Sequence, residues 1–330
     1  MKYTISIIVI CYNNEKYIKK CLSSILCQIN NNIELIVISD GSTDNSLAII
    51  YDILNNVLNT KIISVKNSGI SNARNIGIDN ANGEFLIFVD GDDFISEKSL
   101  QNILNYIENN SFDLLLLNTT KYYEISNKYE KEILLIEKHE NIEVRELINN
   151  KVFGRAWRFV YNKKLIDKYN IRFHSNLIYE DEEWIPKVIL FANRIDYLDI
   201  PYYFYRKTQN TITTQKTFNN IKNLMEITKS SYEWYLTLNR KGNNYFYFSL
   251  SRCIRNIFSS MFYLNQDEKI YVKKWFKSNK GMIYNILKFN RRYKILLSIF
   301  GPYYGTKIYK TFFREKYVLQ KEIIKKDISV

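Results

Sequence analysis

The chain has 330 residues, 46% of them apolar, with only 10 Gly and 3 Pro, a composition that supports a buried core and excludes a collagen-like or low-complexity protein. Its net charge of +13 is uneven: residues 1–215 carry 24 Lys and Arg against 27 Asp and Glu, whereas residues 216–330 carry 23 against 7. The last third therefore holds all the excess positive charge, and two regions with different partners are expected.

In chain order, the first fourteen residues, MKYTISIIVICYNN, contain an apolar run too short for a signal sequence and no small-residue cleavage site, so residues 5–10 predict a strand. Residues 17–28 have helical spacing, 34–39 are β-rich, 45–58 are helical, 61–65 form a strand, 71–80 a helix and 85–89 a strand. This alternation implies βαβ units and a largely parallel sheet with helices on both faces. Ligands of such sheets bind beyond the carboxyl ends of the strands. The places to look for chemistry are therefore CYNN, DGSTD, KNSG and DGDD, which follow the first four strands. Residues 113–118 add another strand, 121–150 are charged and partly helical, and 151–205 mix aromatic and basic residues with the acidic run YEDEEW. After residue 215 the pattern is helical, rich in Tyr, Phe and Lys, and interrupted at Gly301-Pro302.

The four cysteines, Cys11, Cys21, Cys27 and Cys253, form no CxxC pair, and His139 and His174 are the only histidines. A zinc site or disulfide framework is not expected, and a reducing cytoplasm is the simpler setting. No apolar stretch approaches the roughly 18 residues of a membrane span.

Each candidate motif has two readings on its own. DGSTD, with Asp40 first, is a turn and helix cap or a nucleotide contact. Residues 67–75, NSGISNARN, open a helix whose N-terminus favours anions, and Arg74 has either a phosphate or the acidic cluster for a partner. Asp90, Asp92 and Asp93 crowd the end of an apolar strand, and like charges so close are easier to accommodate with a hard cation among them. Glu180 and Asp181 start a helix with Trp184, Val188 and Phe191 on one face; they are dipole stabilisers or, for one of them, a general base.

Taken together, ISIIVICYNNEKYIKKCLSSILCQ, IELIVISDGSTDNS, NSGISNARNIGIDNANGEF and FVDGDD, then RAWRFVYNKKLI and IRFHSNLIYEDEEW, resemble a family 2 glycosyltransferase. The resemblance implies an α/β GT-A fold, Rossmann-like, with a mostly parallel central sheet and flanking helices over residues 1–215, and leaves the helical region 216–330 uncovered. It divides the first part into a nucleotide-sugar-binding half, 1–118, and an acceptor-side half, 119–215, with the ED pair. Tyr12, Asp40, Asn67, Arg74 and Asp90 would contact the donor nucleotide, with Asp40 reaching the base. Asp92, with Asp90, would hold Mn2+ or Mg2+, and Asp181 would be the inverting base.

Glu180, Arg206 and Lys207 are candidates for phosphate or acceptor contacts, the two cations because YYFYRKTQNTIT lacks the His that some relatives place there. Ile10 stands where relatives commonly have Pro, and Ser39 where many have Asp. The implied reaction moves a sugar, from UDP by analogy, to a surface glycan on lipid. Alternatives are a teichoic-acid or protein glycosyltransferase, or a non-catalytic nucleotide-sugar-binding scaffold. In residues 289–316 aromatic and apolar residues alternate with Lys and Arg, which suits an anionic membrane surface at the inner face of the cytoplasmic membrane. Dimerisation through the aromatics is the other reading, and without a recognised module nucleic acid is not expected.

Overall fold

A computed structural model describes residues 3–175, 177–207, 217–238, 244–289 and 291–313. The chain divides into two compact units, Met1–Ile212 and Thr213–Val330.

The first unit begins with β1 (Ile5–Cys11), α1 (Ile18–Leu26), β2 (Ile33–Asp40), α2 (Ser46–Leu54), β3 (Thr60–Val65), α3 (Ile70–Asn80) and β4 (Phe85–Asp90). β1 and β2 are buried along their whole length, as the apolar runs of residues 7–11 and 35–38 require of central parallel strands. β1 pairs in parallel with β2 and with β4, and β2 with β3. The pleat sends Ile7 and Val9 into a core with Ile18, Cys21, Leu22 and Ile25, the inward stripe of α1. Ile8 points the other way, against Gly77 of α3. Both faces are thus covered, and the polar residues after β1, β2, β3 and β4 share one end of the sheet.

The chain continues through β5 (Phe94–Ile95), α4 (Ser99–Asn109), β6 (Leu114–Tyr123), β7 (Lys128–Lys131), α5 (Val144–Asn149), β8 (Phe159–Asn162), α6 (Lys163–Lys168), α7 (Asp181–Phe191) and β9 (Ile195–Lys207). The sheet order is β3-β2-β1-β4-β8-β6-β9-β5, with β7 on β6. β8 lies antiparallel between β4 and β6, and β9 runs parallel to β6 with a register shift around Asn118. Phe88 of β4 meets Trp184 of α7 edge to face at 5.7 Å, and Trp184 stacks on Phe173 at 4.3 Å. That aromatic packing seats the start of α7 over the end of β4.

The second unit comprises α8 (Phe218–Thr237), α9 (Asn244–Ser260), α10 (Gln266–Ser278), α11 (Lys280–Ile286) and α12 (Arg291–Phe313). α10 starts on a capping box between Asn265 and Glu268. α12 is broken at Gly301, whose φ is 70°. In a straight helix residues 293 and 306 would stand ~20 Å apart; here the Tyr293 and Thr306 hydroxyls bond at 2.8 Å, so the two halves fold against each other. The lipid-facing stretch expected at 289–316 is therefore a hairpin over its described part, with residues 290 and 314–316 outside the described residues. Ile295, Ile299 and Tyr304 on it are exposed. No described helix is long and apolar enough to cross a membrane.

Candidate active site

One end of the candidate site, where the donor-nucleotide contacts are expected, is built from three strand ends. Gly41 has φ 69°, and a Cβ on it would lie 2.4 Å from the Asn67 backbone nitrogen, so only glycine lets the loops after β2 and β3 close on each other. Asp40 is buried, and its carboxylate accepts from the Ser68 and Gly69 amides at 2.8 and 3.0 Å. The loop bearing Asn67 is thereby tied to β2, and Asn67 itself is exposed. Asn13 Oδ1 accepts from the Thr43 amide at 2.8 Å, which draws the DGSTD turn beside Tyr12, whose ring is 48% exposed.

Arg74 lies at the centre. Its side chain is 1% exposed, and its guanidinium donates from Nη2 to Asp90 Oδ1 at 2.8 Å and from Nη1 to Asp181 Oδ1 at 3.2 Å and to Glu180 Oε1. Burial alone would lower its pKa; Asp181, Asp90 and Glu180 outweigh burial and raise it. The sequence left Arg74 either a phosphate or the acidic cluster, and the structure gives it the cluster. Three residues from two separate motifs, Asp90 and the pair Glu180 and Asp181, are brought together by this one side chain.

Tyr179, at φ 72°, holds a backbone conformation that non-glycine residues seldom adopt, immediately before the acidic pair. Burial and then Asp181 push Glu180 up to about 7. Burial also raises Asp181, opposed by Arg74, Arg155 and the Ala156 N–H. Gly154 packs closely here too: a Cβ on it would lie 3.0 Å from the Asp181 carbonyl oxygen, a tight contact.

The three aspartates after β4 separate in role. Asp93 does not face a shared cation with the other two: it is buried and accepts from the Tyr203 hydroxyl at 2.8 Å and the Arg206 amide at 2.7 Å, which fixes β9 to the end of β4. Asp90 is taken by Arg74, and its amide donates to the Tyr203 hydroxyl at 3.1 Å. Asp92 alone makes no side-chain hydrogen bond or ion pair to another described residue, and burial and Asp90 push it up to about 6. No three acidic, His or Cys side chains among the described residues converge on a ready-made metal cage. One or two carboxylates completed by water and substrate phosphate are the ordinary donor set for Mg2+, and half-buried, unpartnered Asp92 fits that set.

Arg206 requires a correction. The sequence offered it as a phosphate contact, but it is 3% exposed and donates from Nε to the Asp92 carbonyl at 2.7 Å and from Nη1 to Glu124 at 2.6 Å. Its guanidinium also lies over the Tyr17 ring at 4.6 Å. It is a buried tie among β9, the β4 end and Glu124. Lys207, next to it, faces the other way and is half-buried. Sequence reasoning also missed Tyr203, which touches both Asp90 and Asp93, and Arg155, which lies beside the acidic pair; the RAWRF motif carried a signal only for the latter.

The model for glycosyl transferase family 2 matches residues 6–170. The chain belongs to this family. Among curated relatives, it is 30% identical over 215 residues to the uncharacterized glycosyltransferase EpsJ of Bacillus subtilis (strain 168), covering 63% of this chain and 62% of that protein. With EpsH of the same organism, also 30% identical, it covers 61% and 60%. The chain thus spans about three fifths of the length of these two relatives. It is 25% identical over 300 residues to the cholesterol galactosyltransferase of Borreliella burgdorferi, covering 87% and 81%. Among solved structures, Staphylococcus aureus TarS 1–349 in complex with UDP-GlcNAc superposes with a TM-score of 0.63 at 24% identity, over 91% of this chain and 82% of that one. The likeness shows the family's GT-A fold, extending into the C-terminal helices.

Proposed function

We propose that the chain is an inverting, metal-dependent glycosyltransferase that moves a sugar from a UDP-sugar to a hydroxyl of a lipid-linked surface glycan. The observation that carries this reading is the junction at Arg74, where the carboxylate ending β4 and the pair opening α7 meet although they lie 90 and 91 positions apart in the chain. A sugar nucleotide reacts when its leaving oxygen is stabilised and the acceptor proton has a destination. Donor and acceptor chemistry require carboxylates at those two places.

In this mechanism Tyr12, Asp40 and Asn67 form the nucleotide pocket, with Asp40 shaping it through the 67–69 loop as well as facing the base. Asp92, with Asp90 beside it, would hold Mg2+ or Mn2+, which when bound neutralises the departing diphosphate. Asp181 takes the proton of the acceptor hydroxyl as its oxygen bonds to the anomeric carbon from the face opposite the breaking C–O bond. Arg74 positions Asp181 and favours its ionised form against the effect of burial, and Glu180 shares that guanidinium. Arg74 is thus a positioning residue rather than the nucleotide contact the sequence suggested.

The wide match to a relative named as a cholesterol galactosyltransferase supports an acceptor with a lipid part. The exposed Ile295, Ile299 and Tyr304 of a unit rich in Lys and Arg support contact with an anionic bilayer on the cytoplasmic side. A second reading, transfer to a teichoic-acid polymer, is favoured by the 31% identity over 205 residues to a TarS named as a poly(ribitol-phosphate) β-N-acetylglucosaminyltransferase.

The test is to incubate the protein and Mn2+ with α-linked UDP-sugars and either lipid-linked glycan or poly(ribitol phosphate), reading the anomer of the product by NMR. A β-linked product on the lipid-linked acceptor is expected. A β-product on the polymer alone selects the second reading, and an α-linked product refutes inversion by Asp181.

A further inference from the structure

The turn after β4 is held at every residue, largely by β9. Asp90 donates its N–H to the Tyr203 hydroxyl at 3.1 Å, and Gly91 donates its own to the Ile10 carbonyl at 2.8 Å. The Asp92 carbonyl accepts from Arg206 Nε at 2.7 Å. Asp93 closes the turn with an N–H bond to the Asp90 carbonyl at 3.0 Å, while its carboxylate accepts from the Tyr203 hydroxyl at 2.8 Å and the Arg206 N–H at 2.7 Å. The Asp92 carboxylate stands outside this set, half-buried and without a side-chain hydrogen bond or ion pair to another described residue.

The two residues that hold the turn are themselves fixed. Tyr203 is 1% exposed, and its ring lies flat on Trp157, with centroids 4.3 Å apart and planes 2° from parallel. Its hydroxyl spends its donor and one acceptor site on this one turn. The Arg206 guanidinium sits over the Tyr17 ring at 4.6 Å and ends on Glu124 at 2.6 Å.

β9 needs none of these bonds to stay in place. It already pairs in parallel with β6 along its length, and antiparallel with β5, where Tyr203 faces Ile95 and Phe204 faces Phe94. The extra bonds therefore fix the conformation of residues 90–93 rather than the position of the strand.

We infer that Tyr203 and Arg206 are positioning residues that preset the Asp92 carboxylate for a divalent cation, with Asp93 as the buried anchor on which both act. The inference rests on the metal-dependent reading above and names the residues behind its ligand. Neither side chain touches the ion or the substrate in this role. Three carboxylates crowd one strand end, and a loose turn would relax by swinging Asp92 away from the other two. Partners behind a metal ligand hold it in place and raise affinity, because the ligand need not be ordered when the ion arrives. The third aspartate of the motif thus acts through the fold and not on the ion.

The experiment is titration of the full chain with Mn2+, followed by the paramagnetic resonance signal of the free ion, with and without UDP, beside melting curves. It compares the parent with Tyr203→Phe, which removes the hydroxyl and keeps the stacked ring, and with Arg206→Lys, which keeps the charge and loses the planar fork. Tyr202→Phe is the control, since the neighbouring Tyr202 hydroxyl is buried and meets no hydrogen-bond partner among the described residues. Loss of a partner behind a metal ligand is expected to weaken Mn2+ binding about tenfold in Tyr203→Phe and in Arg206→Lys, with Tyr202→Phe unchanged. A loss in one of the two alone supports the role for that residue. If Arg206→Lys does not fold, Tyr203→Phe decides.

Parent-like Mn2+ affinity in both variants, or an equal loss in Tyr202→Phe, overturns the inference and leaves Tyr203 and Arg206 as ties of the sheet. A parent chain that binds no Mn2+, with or without UDP, refutes metal dependence and this inference with it. The two failures are told apart by the parent, which still binds the ion in the first.

Discussion

Two regions of the N-terminal unit hold comparable charge and treat it in opposite ways. At the junction of α3, β4 and α7, the guanidinium of Arg74 is shared by three carboxylates of this chain. At the rim between the β4 end and β9, Asp92 and Lys207 have no polar side-chain partner among the described residues, although Asp93 and Arg206 beside them are bonded. Charge matched inside the chain holds the frame, and charge left unmatched is where, on the proposed function, a ligand's charge arrives. Substitutions at the two regions should accordingly differ in size and in sign.

The largest effect is expected at Asp181. Asp181→Asn keeps the shape but removes the proton acceptor, so turnover of donor should fall by about 10²- to 10⁴-fold while UDP affinity stays within about twofold. Steady-state rates beside a binding isotherm check this, and a parallel loss of UDP affinity would place Asp181 in the donor pocket instead. Next comes Arg74→Met, which strands Asp90, Glu180 and Asp181 without their cation. Urea unfolding should show a loss of about 3–5 kcal/mol. A loss under 1 kcal/mol would mean that the junction is not the frame proposed.

Asp92→Asn should act in the opposite direction. Asp92 titrates at about 6 in the folded chain against an ordinary 3.8, so the folded state binds more protons between those values, and stability falls as pH rises from about 4 to about 6. Removing the charge should therefore stabilise the metal-free protein by about 1 kcal/mol at pH 8 and leave it unchanged at pH 4. Melting curves at the two pH values check both the sign and the window. The smallest effect belongs to a surface pair: Arg145, 69% exposed and 2.9 Å from Glu143, should change stability by less than about 0.5 kcal/mol when replaced by Ala.

The parallel half of the sheet was legible because the buried strands β1, β2 and β4 carry apolar runs, and because each strand ends in a polar turn. The boundaries of β1, β2, β3 and β4 follow those runs to within a residue or two. β9 escaped notice because Pro201 interrupts it, and the proline sits at a register shift where a ladder tolerates it. β5 is two residues long and exists only by pairing with Phe204 and Tyr203. At the site, residue types and strand-end positions were readable, but the pairings were not. Glu124, which occupies Arg206, is 82 residues away, and Asp181 is 107 residues from Arg74. No local periodicity encodes such contacts, so the sequence could offer Arg206 to a phosphate that the fold does not let it reach.

The most direct test of the account is a thermal-shift titration with UDP, GDP and a panel of nucleotide sugars, with and without Mn2+, on the parent chain, Asp92→Asn and Asp181→Asn. At about 100 times its dissociation constant, one nucleotide class should add about 2.7 kcal/mol of stability in the presence of metal. That shift should be lost in Asp92→Asn and kept in Asp181→Asn. No shift with any nucleotide in the folded parent protein, or an equal shift in Asp92→Asn, would contradict a donor site built on the end of β4.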